Sequence, residues 1–453
     1  MQTIASQLDV AFRNAIHEAF NMDADAHIAA TANDQFGDYQ SNAAMALAKT
    51  LKTKPRDVAE KIKSKLELGE MASEVSIAGP GFINVRLNPA WLGDRLDAVR
   101  SDQRIGVPAT KKPEIVVVDY SGPNVAKEMH VGHLRSTIIG DAISRVLEFQ
   151  GNQIVRQNHI GDWGTQFGML IAYLINGLHG TMGNTNAPVS FPGRSPFDHP
   201  NINDLEGFYR AAKRCFDEDS LFADESRQTV VKLQSGDAGT LEAWRVIVEE
   251  TRNSYQPIYQ RLGVHLTVDN ERGESFYNPL LADVVAELKQ KKLAEESQGA
   301  IVVPTEGFEN PLIIEKTGGG YLYATTDLAA IRFRVNELHA KRIIYTHDSR
   351  QAQHFAQVFQ VARKAGFAPA DISLEYAPFG TMLGEDGKPF KTRTGGTVKL
   401  KDLLDEAEER AKKIVDEKNP DLPEDKRKQI AHAVGIGAVK YADLSKDRTS
   451  DYV

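Results

Sequence analysis

Apolar residues recur every fourth position at Leu8, Phe12, Ile16 and Phe20, which predicts one buried stripe on an opening helix. After the polar string FGDYQ, Ser41 offers an N-cap for a helix over residues 43–51. Pro55 opens another, with Val58, Ile62 and Leu66 on one face. At Ile83, Val85 and Leu87 the period drops to two, with Asn84 and Arg86 between them, as in a half-buried strand. Residues 101–113, with Gly106, Pro108 and two lysines, read as a linker.

The texture then changes. Residues 115–118 are a continuous apolar run, expected of a strand covered on both faces of a parallel sheet. The polar loop SGPNVAKEMHVGH leads into a helix with Leu134, Ile138, Ala142 and Val146 on one face, stopping at Gly151. Residues 153–160 read as the next strand. Strand, ligand-sized loop, helix and strand open a doubly wound α/β fold. From about residue 180 to about 300 that rhythm breaks, with a Pro-, Asn- and Gly-rich loop at 184–203 followed by charged helical sequence. It returns as a strand at 342–347, a helix at 351–365 and a strand at 372–376. The prediction is a Rossmann-like parallel-sheet domain, residues 106–395, split by an inserted module. An α+β domain, residues 1–105, precedes it, and a helical stem, residues 396–453, follows.

Composition narrows the class. A chain of 453 residues has room for roughly two to four domains. The single cysteine, Cys215, excludes an internal disulfide framework and Cys-based zinc or iron–sulfur sites, as fits a reducing cytoplasm. The opening MQTIASQLDV lacks a secretory signal pattern, and no run approaches the roughly 18 apolar residues of a membrane span. A net charge of −8 argues against a general nucleic-acid coat while leaving room for a local basic groove.

The chemistry concentrates in DYSGPNVAKEMHVGHLRSTIIGD, residues 119–141. Gly132 and His133 fall where the loop enters the helix, and a helix N-terminus attracts phosphate. Gly132 allows close backbone approach. His130 and His133 can donate hydrogen bonds to phosphate oxygens, and Lys127 adds a mobile cation. Ser121 and Asn124 supply neutral hydrogen-bonding groups. Two histidines three apart also suit a surface turn or a metal, although no third ligand lies nearby in sequence.

The H-x-G-H at His130–His133 resembles the signature of class I aminoacyl-tRNA synthetases. The longer string PNVAKEMHVGHLRSTIIGD, with GDWGTQFG at residues 161–168, is similar to the bacterial arginyl enzymes in particular. The resemblance implies ATP-dependent formation of arginyl-adenylate and transfer of arginine to tRNA(Arg). It implies ATP as substrate with Mg2+ held through its phosphates, no protein-bound metal, and a monomeric cytoplasmic enzyme. GKPFKTRTGG, residues 387–396, takes the place of the family's mobile phosphate loop. Thr392 and Pro389 stand where lysines are usual, so Lys391 and Arg393 become candidate ATP contacts and Lys127 the compensating lysine. Arginine would be held by Asn124 at its α-amino end, by Glu274, Tyr323 and Asp327 at its guanidinium, and by Gln351, to within one position.

Read alone, Asp327 better suits a helix N-cap, Tyr323 a half-buried core aromatic and Glu274 a solvated turn acid, and only the resemblance favours the binding roles. In the leading domain the resemblance implies contact with the tRNA elbow through Phe36, Tyr39, Gln40 and Asn42. Phe36 suits either stacking on a base or packing inside a hairpin. The string SDYV at the end of the chain lies within a stretch that the family continues into an anticodon-binding domain. The expectation is a truncated and impaired enzyme. Two rival readings stay open: an H-x-G-H nucleotidyltransferase acting on a small acid, and a non-catalytic RNA-binding relative.

Overall fold

The computed structural model describes residues 2–164, 166–179, 204–317, 319–384, 387–388 and 398–452. The chain forms two compact units, Met1–Lys111 and Lys112–Val453.

In the first unit, α1 (Ile4–Phe20) starts at Thr3, whose hydroxyl accepts the Ser6 N–H at 3.1 Å. Leu8, Phe12 and Ile16 are fully buried, as the four-residue spacing predicts. β1 (Ile28–Ala30) and β2 (Tyr39–Ser41) lead to α2 (Ala43–Leu51) and α3 (Pro55–Lys65). β3 (Ala72–Ala78), β4 (Phe82–Leu87) and α4 (Pro89–Ser101) complete the unit, with an antiparallel sheet in the order β1-β2-β4-β3. Two details differ from the sequence reading. Ser41 ends β2 and donates to the Ala26 carbonyl at 2.6 Å, so Asn42 takes the cap position of α2. Asn84 is only 2% exposed, so both faces of β4 are covered there.

The second unit begins with β5 (Ile115–Asp119), α5 (Val131–Phe149) and β6 (Gln153–Gln157). An all-helical run follows: α6 (Gln166–His179), α7 (Leu205–Glu218), α8 (Ser220–Gln234), α9 (Ala238–Leu262) and α10 (Glu274–Gln290). A small antiparallel sheet of β7 (Glu295–Ser297), β8 (Ala300–Val303) and β9 (Leu312–Glu315) precedes α11 (Tyr323–Asn336). The main sheet resumes with β10 (Arg342–Tyr345), α12 (Ala352–Ala365) and β11 (Ser373–Tyr376), and the chain ends in α13 (Leu400–Lys418) and α14 (Glu424–Leu444). The expected loop at 184–203 lies outside the described residues.

β6, β5, β10 and β11 pair in that order, all parallel. Successive side chains of a strand point to opposite faces, and both faces are covered. Val117, Ile343 and Tyr345 pack with α10, α11 and α12, whereas Val116, Val118 and Ile344 pack with α5, α9 and α13. The chain leaves β5 toward β6 on one side and returns at β10 on the other. The crevice beyond the carboxyl ends of β5 and β10 is therefore the switch point where such sheets bind ligands. On α5 the buried stripe runs through Leu134, Ile138 and Ile139, and Val146, expected on it, is 57% exposed. Among the described residues no helix is long and apolar enough to cross a membrane.

Buried charge ties these layers together. Arg334 on α11 donates to Asp119, at the end of β5, and to Gln157, at the end of β6, both at 2.5 Å. Burial opposes ionisation of Asp119, but Arg334 and then His347 outweigh it and hold its carboxyl far below the usual range. Arg135 on α5 pairs with Asp443 on α14 at 3.0 Å and donates to the Gly380, Arg448 and Ser450 carbonyls.

Asp119→Ala should lower the unfolding free energy of the second unit by roughly 3–5 kcal/mol, because it strands a buried guanidinium. Denaturant titration reads this directly. The contribution is present above the ordinary carboxylate range and is lost as pH falls toward the folded value.

Candidate active site

The loop between β5 and α5 takes its shape from main-chain conformations rare outside glycine. Ser121 and Ala126 both have positive φ, at 74° and 60°. Between them Asn124 is exposed, and its side-chain oxygen lies where a Cβ on Gly161 would approach to 2.5 Å. Gly161 must therefore be glycine for Asn124 to sit there. Lys127, also exposed, rests its ammonium 4.7 Å from the ring centre of Tyr209 on α7.

The two histidines form a reciprocal cap on α5. His130 Nδ1 accepts the Gly132 N–H, and His133 Nδ1 accepts the His130 N–H, each at 3.1 Å. Their rings lie 3.9 Å apart. An Nδ1 that accepts carries no proton, so each neutral ring bears its hydrogen on Nε2. Burial, followed by His130, lowers the His133 pKa to about 3, and burial, followed by Lys127, lowers that of His130. Both rings are thus neutral Nε2–H donors near pH 7. A Cβ on Gly132 would meet the His130 ring at 2.8 Å, so the capping ring itself requires this glycine. Residues 398–400 close the turn from the other side, with Val131 N–H donating to Val398 O and Leu400 N–H to Met129 O. Lys391 and Arg393 lie outside the described residues.

Ser121 differs from its expected part. It is buried, and its hydroxyl is engaged inside the protein, with Tyr259 at 2.7 Å and Thr137 at 2.9 Å. It braces the loop, and Asn124 and Lys127 are the side chains the loop exposes.

A second group of residues is acidic. α11 begins at Tyr323, with Leu322 at the cap position, so Asp327 lies one turn inside the helix and does not cap it. The four-residue spacing places Tyr323 and Asp327 on one face, and His354 on α12 meets both. Its Nε2 is 2.6 Å from Asp327 Oδ2, and its ring centre is 4.8 Å from that of Tyr323. Tyr323 is 64% exposed, which rules out a core role. Glu274 is the first residue of α10 and is half-buried. Burial, reinforced by Asp162 and Asp327, pushes its pKa up to about 7. Asp162 is itself buried and accepts both the N–H and the hydroxyl of Ser275. Gln351 is exposed at the cap position of α12, three residues before His354.

Sequence reasoning missed His354, Asp162 and Tyr209. Only Asp162 carried a local signal, since it lies in the GDWG string. Among the described residues no group of three or more His, Cys, Asp or Glu could hold a metal ion.

In the first unit Phe36 ends a short turn and is 46% exposed, so the inward-packed alternative fails. Gly37, at φ 88°, lets that turn cross β4, because a Cβ there would lie 2.6 Å from the Val85 carbonyl. Tyr39 packs partly against the core while its neighbour Gln40 points to the opposite face of β2. Asn42 makes no capping bond.

A four-stranded parallel sheet with a two-histidine cap at its switch point fits a nucleotide-binding enzyme, and the matching family model makes it a class I aminoacyl-tRNA synthetase catalytic domain. The family model described as tRNA synthetases class I (R), catalytic domain, matches residues 96–453, and that of the arginyl tRNA synthetase N terminal domain matches residues 6–87. The chain belongs to the arginyl-tRNA synthetase family. It is 54% identical to the arginine–tRNA ligase of Laribacter hongkongensis over 92% of this chain and 72% of that protein. To the Escherichia coli K12 ligase it is 53% identical over 95% of this chain and 73% of that one. The crystal structure of the Plasmodium falciparum arginyl-tRNA synthetase superposes with a TM-score of 0.83 at 32% identity, covering 100% of this chain and 76% of that one.

A guanidinium bound beside Glu274 favours its ionised form and so must release a proton near neutrality. Affinity for such a cation should fall as pH drops below about 7, by up to about tenfold per unit. Glu274→Gln should flatten that dependence and weaken binding at pH 8. Calorimetry in buffers of different ionisation enthalpy counts the released proton.

Proposed function

We propose that the capped turn and the acidic group together run the arginine–tRNA ligase reaction, with the roles divided as follows. The arginine carboxylate attacks the α-phosphorus of ATP and pyrophosphate leaves. A terminal ribose hydroxyl of tRNA(Arg) then attacks the adenylate carbonyl, and AMP leaves. His130 and His133 donate through Nε2–H to phosphate oxygens as charge grows on them in the first step. Neutral rings serve this better than imidazolium would, because they hold no competing anion beforehand. Lys127 leaves the Tyr209 ring to meet the phosphates, and Lys391 and Arg393 contribute further positive charge. Mg2+ arrives with ATP, held mainly by its phosphates.

Asn124 takes the α-amino end of arginine. Tyr323 forms a flat wall for the guanidinium, Asp327 and Glu274 accept its hydrogen bonds, and Gln351 helps orient the amino acid. In the first unit Phe36 stacks on an unpaired base of the tRNA elbow, while Tyr39, Gln40 and Asn42 support that contact. The observation that carries the assignment of substrate is Glu274, held up to about 7 beside two other carboxylates. Burial, with the two neighbouring carboxylates, makes its ionisation costly, and a planar cation bound beside it offsets that cost. A nucleotidyltransferase for a small acid has no use for it, since its own substrate is an anion.

Calorimetry with each of the twenty amino acids, with and without a nonhydrolysable ATP analogue, should show arginine alone binding. Asp327→Ala should weaken arginine binding by roughly 3–5 kcal/mol, the range for a broken buried ion pair, and leave the ATP analogue nearly unaffected. Equal losses for both ligands would make Asp327 a scaffold residue.

A further inference from the structure

The loop that exposes Asn124 and Lys127 is bracketed by two residues, Ser121 and Ala126, held at positive φ without being glycine. An alanine or serine left to itself leaves that region, so something must hold each one. One helix of the inserted run holds both. Thr251 on α9 accepts the Ala126 N–H at 3.0 Å, and its own hydroxyl hydrogen goes to the Ile247 carbonyl at 2.8 Å. Tyr259, two turns further along α9, meets the Ser121 hydroxyl at 2.7 Å.

Thr137 Oγ1 donates to His133 O at 2.7 Å and lies 2.9 Å from Ser121 Oγ. Tyr259 oxygen accepts from Asn158 Nδ2 at 3.1 Å, and Asn158 Oδ1 accepts the Gly122 N–H at 2.9 Å. The result is a connected chain of hydrogen bonds from Asn158 through Tyr259, Ser121 and Thr137 to the carbonyl of a signature histidine. Asn158, Tyr259, Ser121 and Thr137 are buried, as are Thr251 and Ala126. Val125 and Ala126 also pack in the apolar core of the inserted helices.

We propose that Thr251 and Tyr259 are positioning residues for adenylate formation. Acting through Ala126 and Ser121, they fix the direction in which Lys127 and Asn124 are presented and steady the turn of His133. The inserted helices are thereby part of the machinery that shapes the phosphate-binding loop. This rests on the roles given above to Asn124 and Lys127. Neither positioning residue needs to touch a substrate. Thr251 serves Ala126, directly before Lys127, so its loss should act on the ATP half of the reaction. Tyr259 serves Ser121 and the histidine turn, so its loss should act on turnover.

Thr251→Val replaces the hydroxyl with a methyl group, Tyr259→Phe removes the hydroxyl, and Thr251→Ser keeps it. In steady-state arginylation of tRNA(Arg), Thr251→Val should raise KM for ATP at least fivefold while KM for arginine stays within twofold. Thr251→Ser should return KM for ATP to within twofold of the parent. Tyr259→Phe should lower kcat at least tenfold. Hydrogen–deuterium exchange of residues 120–130 in the same variants is the second measurement. Exchange there should speed up in Thr251→Val and Tyr259→Phe and stay at the parent level in Thr251→Ser. Unchanged exchange in both hydroxyl-less variants overturns the proposal, as does a serine variant no better than valine. A parent chain that binds no arginine in calorimetry, yet shows the exchange pattern, overturns the functional reading instead and leaves the loop clamp standing.

Discussion

Two imidazoles accept backbone N–H groups at the N-terminus of α5, and the catalytic geometry depends on that choice. A helix N-terminus leaves donors without partners and carries partial positive charge. A side chain that accepts there is favoured, and one bearing positive charge is disfavoured. His130 and His133 satisfy both conditions by turning Nδ1 inward and staying neutral. The inward nitrogen caps the helix, and the other is left as a donor facing outward from the cap. Burial, with Lys127 beside His130 and His130 beside His133, then disfavours protonation of both. Capping the helix and leaving Nε2 as the free donor are the same event.

The acidic group is built on the opposite logic. Burial, with Asp162 and Asp327 adding to it, raises the cost of ionising Glu274, and His354 fixes one oxygen of Asp327. The two halves sit on elements that meet at the switch point of the parallel sheet, and the Asp119–Arg334 pair beneath ties the ends of β5 and β6 to α11. On the proposed reading, a cationic amino acid and an anionic nucleotide are given separate surfaces on one frame.

Much of this frame was legible because its signals are local. Unbroken apolar runs marked the strands buried on both faces, and the loop before α5 carried its chemistry in consecutive residues. The start of α11 was ambiguous because Asp327 is a favoured cap residue. The structure starts the helix one turn earlier, where Thr325 turns its hydroxyl back to the Ile314 carbonyl. Val146 was misplaced because a strict four-residue repeat drifts around a helix of 3.6 residues per turn. The remaining features depend on partners far apart in sequence. His354 reaches Asp327 across 27 residues, and Tyr259 reaches Ser121 across 138. No local pattern encodes such pairs, and a buried serine hydroxyl looks in sequence like one offered to a ligand.

The central claim concerns where two hydrogens reside, and nitrogen-15 NMR of the protein with selectively labelled histidine observes them. His130 and His133 should both appear at pH 7 as neutral rings protonated on Nε2, and His133 should remain neutral at pH 5. A proton on Nδ1 of either ring, or titration of His133 near the ordinary histidine value of about 6.5, would contradict the account.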